Sequence, residues 1–359
     1  MDIHFVNSLL SLNSSTYRVY NKEISSYSQN IGINVGYDNA SLSFKINKYD
    51  TIELANWLIG KEMFTYIDTS IIWSGIVNSI SFILGSENIE VGPYLDISNK
   101  VLVKYTDYST GVPNVTTYAN NTDSQNQYGV LVKILNGGSI SATNADKIRD
   151  KYLLENAYPR INKSVSTGGS LSFSVNCIGH YHLLGTYNYN NSSAASGNLS
   201  TKIQSVVAAQ PNSIFSTDYT NIETNTLSIS FNESLDRMAI EIIKELVSLG
   251  DDTTDNKSVF GIYNRIPYYW TIGYNTKYYL DVSSKQQNIS SPNGYALRPW
   301  EIKPGYFMEF IGDRQFSINN RTTSFIDSVS YTYPYSFQIQ SGDSGTLSQQ
   351  LSKLGISGL

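Results

Sequence analysis

Apolar and polar residues alternate through much of the first hundred positions. In Ser41-Leu42-Ser43-Phe44-Lys45-Ile46, the residues Leu42, Phe44 and Ile46 fall on one side of an extended chain, which predicts a half-buried strand. Two denser apolar runs follow, residues 71–77 (Ile-Ile-Trp-Ser-Gly-Ile-Val) and 79–84 (Ser-Ile-Ser-Phe-Ile-Leu). Gly85-Ser86-Glu87-Asn88 supplies turn chemistry, and the strand pattern resumes at residues 89–92 and 101–105. Residues 107–126 are rich in Ser, Thr, Asn, Gly and Pro and read as loop. A helix with a Thr143-x-x-Asp146 capping signal and apolar Ile148, Tyr152 and Leu153 runs on to Pro159.

Residues 170–178 alternate again, with Leu171, Phe173, Val175 and Cys177 on one side, and residues 188–198 read as a polar loop. Leu199, Ile203, Val206 and Val207 predict a short helix that stops at Gln210-Pro211. The clearest stripe is Leu235, Met238, Ala239, Ile242, Leu246 and Leu249, with Gly250 placed to end a helix. Beyond it, residues 258–263 and 266–271 are two strand-like runs separated only by Asn264-Arg265, a hairpin. Strand patterns continue at 306–310 and 323–329 and through Tyr331, Tyr333 and Tyr335. A polar stretch and a short amphipathic piece, Leu347 to Leu359, come last.

The pattern as a whole predicts a mainly β protein with α+β character: two small β-barrel or sandwich units plus a helix-hairpin unit. Its expected divisions are part of a first barrel at 1–108, a loop and helix insertion at 109–160, and return strands at 161–198. An α+β unit follows at 199–275, part of a second barrel or sandwich at 276–340, and a flexible tail at 341–359. No period of 20 to 50 residues repeats.

With 359 residues the chain is long enough for a substantial core, and 15% charged against 40% hydrophobic residues excludes a disordered polymer. The 25 Lys and Arg against 30 Asp and Glu leave a formal charge of −5, which argues against specific nucleic-acid binding and against a polybasic membrane anchor. No apolar run approaches the about 20 residues of a membrane span. One cysteine, Cys177, forms no internal disulfide, and the first residues lack a secretory signal pattern, so folding in a reducing cytoplasm is expected.

The search for chemistry yields little. Gly342-Asp343-Ser344-Gly345 echoes the nucleophile turn of serine proteases, but only 15 residues follow Ser344 and the histidines are His4, His180 and His182. Cys177, His180 and His182 are metal-type side chains, but the His180–His182 pair lacks the third and fourth ligands of a zinc geometry, and a buried thiol with hydrogen-bonded histidines is the plainer reading. Residues 251–256 lack the glycine and the terminal glutamate of a calcium loop. Glu241 and Glu245 share a helix flank with Lys244. No catalytic residue, cofactor or metal is therefore expected. Tyrosine is the anomaly: with 28 in the chain, Tyr268, Tyr269, Trp270, Tyr278 and Tyr279 crowd one stretch and are candidates for a protein interface or for stacking on sugars.

Several segments, in order, resemble the tail hub proteins of long-tailed bacteriophages. Residues 71–105 resemble the hairpin that frames the tube lumen in the first barrel of that family. Residues 171–185 (Leu-Ser-Phe-Ser-Val-Asn-Cys-Ile-Gly-His-Tyr-His-Leu-Leu-Gly) resemble the strand and corner that return the chain to that barrel. The helices at 199–210 and 234–249 with the hairpin at 258–270 resemble the α+β domain, and Arg298-Pro299-Trp300-Glu301-Ile302-Lys303-Pro304-Gly305 is similar to the lead into a late strand. This resemblance implies a structural, non-enzymatic virion protein of the tail tip or baseplate, made in the host bacterial cytoplasm. It implies a ring, trimeric with two barrels per chain, that joins the tail tube to the tip or spike and contacts tube, distal tail, spike or fibre proteins while DNA passes through its lumen. A sixfold distal tail or adaptor ring, and a receptor- or carbohydrate-binding tail module, are the alternatives.

Overall fold

The computed structural model describes residues 1–6, 16–46, 51–84, 86–165, 173–211, 214–250, 257–272, 277–281, 288–291, 293–311, 323–333 and 336–342. The N-terminal part comprises strands β1 (Asp2–Val6), β2 (Thr16–Tyr20), β3 (Ile24–Gly32) and β4 (Gly36–Phe44), helix α1 (Thr51–Leu58), and strands β5 (Glu62–Ile67), β6 (Ser70–Leu84) and β7 (Glu87–Val91). The two apolar runs read separately at 71–77 and 79–84 are one 15-residue strand, β6. Its length lets it carry β5 along its first half and β7 along its second.

A smaller sheet follows, of β8 (Lys100–Asp107), β9 (Pro113–Val115), β10 (Ala119–Asn120) and β11 (Val132–Ile140). Helix α2 (Thr122–Tyr128) links its last two strands, and α3 (Ala142–Asn156) packs across it. The segment read as loop at 107–126 thus holds two short strands and the start of α2, whose first turn is capped by the Asn121 side chain accepting from the Ser124 amide. Strand β12 (Ile161–Val165) then pairs with β7, and β13 (Phe173–Ile178) inserts between β4 and β6, antiparallel to both.

Two strand-to-helix excursions come next, β14 (Asn188–Asn198) into α4 (Leu199–Ala208) and β15 (Ser228–Met238) into α5 (Ala239–Ser248). Residues 188–198, read as a polar loop, pair with β15 as a two-stranded ribbon, and the helix read from Leu235 begins at Ala239. The ladder claims residues 235–238, although Met238 shares the apolar period of the helix. Hairpin β16 (Ser258–Tyr263) and β17 (Ile266–Thr271) follows. The C-terminal strands are β18 (Lys277–Asp281), β19 (Asn288–Ser290), β20 (Ala296–Leu297), β21 (Phe307–Ile311), β22 (Thr323–Tyr333) and β23 (Ser336–Gly342).

The fold is mostly β with a few helices, and no sheet among the described residues closes into a barrel. The main sheet curls so that Tyr17 of β2 and Phe5 of β1 reach Phe44 of β4, at ring separations of 6.4 Å each. Closure would require β2 to pair with β3. That edge of β3 is taken by β22, which runs antiparallel to it from Ser328 to Tyr333. Inside the curl, Tyr27, Leu42, Phe44, Val175 and Ile80 are almost wholly buried, each worth about 1.5–3 kcal/mol of transfer free energy. The polar groups there are matched: the Tyr27 hydroxyl donates to Gln29 Oε1 at 2.7 Å, and Gln29 Nε2 donates across the curl to the Ile72 carbonyl at 3.2 Å.

Candidate functional site

Three distant stretches meet at one buried charge cluster. Glu62 opens β5, His180 follows the corner after β13, and Arg265 is the second residue of the two-residue turn between β16 and β17. Asn264 and Arg265 both have positive φ, 48° and 69°, the conformation that a tight hairpin of this length demands. From that turn Arg265 Nε donates to Glu62 Oε1 at 2.7 Å, and its Nη2 donates to Oε2. His180 Nε2 lies 2.9 Å from Oε1, and since a carboxylate only accepts, that nitrogen carries the proton. Glu62 and His180 are each 1% exposed.

Burial alone would raise the Glu62 pKa. The hydrogen bonds and charges of His180 and Arg265 outweigh it and hold the carboxyl below its ordinary value.

Backbones approach unusually closely around this cluster. A Cβ on Gly179 would stand 1.6 Å from the Tyr37 carbonyl oxygen. One on Gly36, whose φ is +79°, would stand 2.5 Å from the Ile262 carbonyl oxygen. The His180 corner, the start of β4 and the hairpin are therefore packed backbone to backbone. Beside them a cleft of about 570 Å³ is lined by Phe64, Ser216, Thr217, Asn264, Arg265 and Ile266. Its chemistry is one of holding. Arg265 is spent on Glu62, Asn264 Oδ1 accepts from the Ser74 hydroxyl at 3.1 Å, and Ser216 Oγ accepts from the Asp218 amide.

A second junction is aromatic. Trp270 stacks on Tyr306 at 5.6 Å, Tyr278 lies 5.2 Å from Tyr306, and the Lys303 ammonium stands 4.0 Å from the centre of the Tyr268 ring. Gly305, at φ +94°, leaves room for the indole, since a Cβ there would come within 2.9 Å of Trp270. The Lys303 amide donates to the Tyr278 hydroxyl at 3.2 Å. The entry to β21 is thereby fixed to the outer side of the β16–β17 hairpin.

Of the tyrosine-rich candidates, Tyr269, Trp270 and Tyr278 lie in the interior, and Tyr268 and Tyr279 are half-buried. The Tyr269 hydroxyl donates to Ser258 Oγ at 2.9 Å and accepts from Asn225 Nδ2 at 2.8 Å. Cys177 is buried against Met63, with its sulfur 3.6 Å from Sδ, and burial pushes its thiol pKa up. His180 and His182 face different carboxylates, Glu62 and Asp38, the latter at 2.8 Å. Among the described residues no group of three His, Cys, Asp or Glu side chains is set to hold a metal ion. Glu245 accepts from Arg237 at 2.8 Å. Ser344 and residues 251–256 lie outside the described residues.

The sequence alone gives no hint of Glu62 and Arg265 as partners. They stand 203 positions apart, and the one available signal was that Arg265 sits in a turn whose second residue has no local structural task for a long cation.

No family model matches this sequence, and no curated protein matches it. In structure the chain is similar to a tail protein from Neisseria meningitidis MC58, at 7% identity and a TM-score of 0.45 over 96% of each chain. It is also similar to prophage tail protein gp18 from Listeria monocytogenes EGD-e, at 9% identity and a TM-score of 0.38 over 99% of this chain and 100% of that one. A third is an Escherichia coli component of the type VI secretion system, itself described as similar to the T4 bacteriophage tail proteins gp27 and gp5. There the identity is 8% and the TM-score 0.39, over 88% of this chain and 72% of that one. Two of these three structures are described as tail proteins, and the third as similar to bacteriophage tail proteins.

Proposed function

We propose that this chain is a structural component of a phage tail tip or baseplate, a hub-like ring subunit that connects the tail tube to the tip or spike. The observation that carries the reading is the return strand. After leaving the main sheet at Val91, the chain comes back at Ile161, where β12 pairs with β7, and from Phe173 threads β13 between β4 and β6. This path supports the resemblance of residues 171–185 to a strand and corner that return the chain to the first unit. The helices α4 and α5 pack on each other, with α5 also against β16, which supports the α+β unit that the same resemblance implies.

The site chemistry supports mechanical work. Buried Glu62 and His180 and half-buried Arg265 lock three segments together, and neither histidine of the corner is aimed at a nucleophile. The interior placement of Tyr269, Trp270 and Tyr278 supports packing over glycan stacking, and leaves Tyr268 and Tyr279 as the ring-facing candidates. The charge of −5 suits a lumen through which DNA slides without sticking. Class-averaged electron micrographs of the purified chain, alone and with its tube protein, test this. Threefold rings are expected at the end of the tube. Sixfold rings would move the chain to the adaptor position, and isolated globules that turn over a substrate would end the structural reading.

A further inference from the structure

The core-facing side of the main sheet runs in rows, because residues directly opposite each other on paired strands point the same way. One row crosses β3, β4, β13, β6, β7 and β12 as Tyr27, Leu42, Val175, Ile80, Val91 and Ile161. Exposure along it is 1%, 0%, 0%, 0% and 7%, and then 61% at Ile161. The neighbouring row, Phe44, Phe173, Phe82, Ile89 and Lys163, likewise leaves the interior at β12. Val165, on the same side of β12, is 79% exposed. The apolar face of the sheet therefore continues one strand beyond its cover.

Among the described residues the outer edge of that strand is open as well. Among the described strands β12 pairs only with β7, so one row of its backbone N–H and C=O groups meets no ladder. An open edge with alternating apolar side chains is the surface that adds a further strand. We propose that β12 is such a site. It accepts one extended segment of a partner protein that carries apolar residues opposite Ile161 and Val165 and an acidic residue opposite Lys163.

Charge selects this occupant over a second copy. Arg160 and Lys163 are the ionisable residues of 160–165, and no acid lies among them. Two β12 strands paired antiparallel, with Ile161 against Val165, would set Lys163 against Lys163, and like charges directly opposite are destabilising. Among the described strands β2 pairs only with β1, and its one charged side chain is Arg18, again a cation. An acid between two apolar residues, each two positions away, satisfies the ladder, the row and the lysine together. The inference stands whether or not the chain belongs to a tail.

The test uses the full chain and two fluorescent nine-residue peptides. One alternates threonine with valine, glutamate and valine; the other has lysine in place of glutamate. Anisotropy at low salt should show the glutamate peptide binding at least about tenfold more tightly. The Lys163→Glu variant should reverse that order, and joint Ile161→Asp and Val165→Asp should abolish binding while leaving the melting temperature near that of the parent, because both side chains are exposed. Equal affinity for the two peptides, or none for either, overturns the proposal. So does self-association in the ultracentrifuge that the aspartate pair removes, which would give the edge to a second copy.

Discussion

Glu62 is the residue on which the most opposing terms meet. A carboxylate at 1% exposure is tolerated because Arg265 supplies two donors and His180 a third. Its folded pKa lies below the ordinary value of 4.5, so its contribution to stability is in full force above that value and drains away as pH falls through the folded pKa. Glu62→Gln should cost about 3–5 kcal/mol at pH 7, the range for breaking a buried pair. In thermal melts from pH 7 to pH 3 the gap between parent and variant should narrow on the acid side; a gap that stays constant would mean that charge is not what the cluster contributes. Residue-level reading of the sequence worked where chemistry is local. Cys177 was expected as a buried thiol and is one, packed on Met63. It could not find a pair such as Glu62 and Arg265, because only the closed fold brings them together.

Elements were legible where one period ruled and hidden where two competed. The hairpin at 258–271 follows from two apolar runs around a two-residue turn, and its positive φ angles agree. In the stripe from Leu235 to Leu249, by contrast, a helical period overlaps residues that the β14–β15 ladder claims, and the ladder wins up to Met238. The other end of that stripe gives a test. Leu246 is 1% exposed and Leu249 is 50% exposed, so Leu246→Ala should cost about 2–5 kcal/mol in denaturant unfolding and Leu249→Ala under about 1 kcal/mol. Equal costs would mean that the helix buries its last turn.

The glycine contacts belong to the same scale, since they fix how elements approach. Gly179→Ala would force a methyl to within 1.6 Å of the Tyr37 carbonyl oxygen and should prevent stable folding, seen as loss of soluble protein. Gly111→Ala, at φ +69° with nothing within 4 Å of its Cβ, pays only for its backbone, about 1–2 kcal/mol. Comparable losses at both positions would remove close approach as the reason for Gly179.

At the scale of the whole molecule, the strand that prevents barrel closure is also the one that joins the two ends of the chain. β22 pairs with β3 over residues 328–333 and with β21 over residues 323–325, so the C-terminal strands continue the N-terminal sheet. The sequence reads 276–340 as part of a second barrel or sandwich, and strand patterns report that a segment is extended but not which distant edge it completes. Val329 sits at the seam, 1% exposed, opposite Ile31 on one side and Ile339 on the other. A carboxylate there has no partner, and Val329→Asp should cost well over 3 kcal/mol. If the sheet is one cooperative structure, calorimetry should show the parent and the variant each melting in a single main transition, with the variant shifted down by several degrees. A variant in which a small early transition splits off while the main one keeps its temperature would show that β21–β23 fold as an appendage. The Tyr268–Trp270–Tyr306 junction would then remain to hold the two parts together, and Trp270→Ala, at about 3–5 kcal/mol for a buried ring, would become the more damaging substitution of the two.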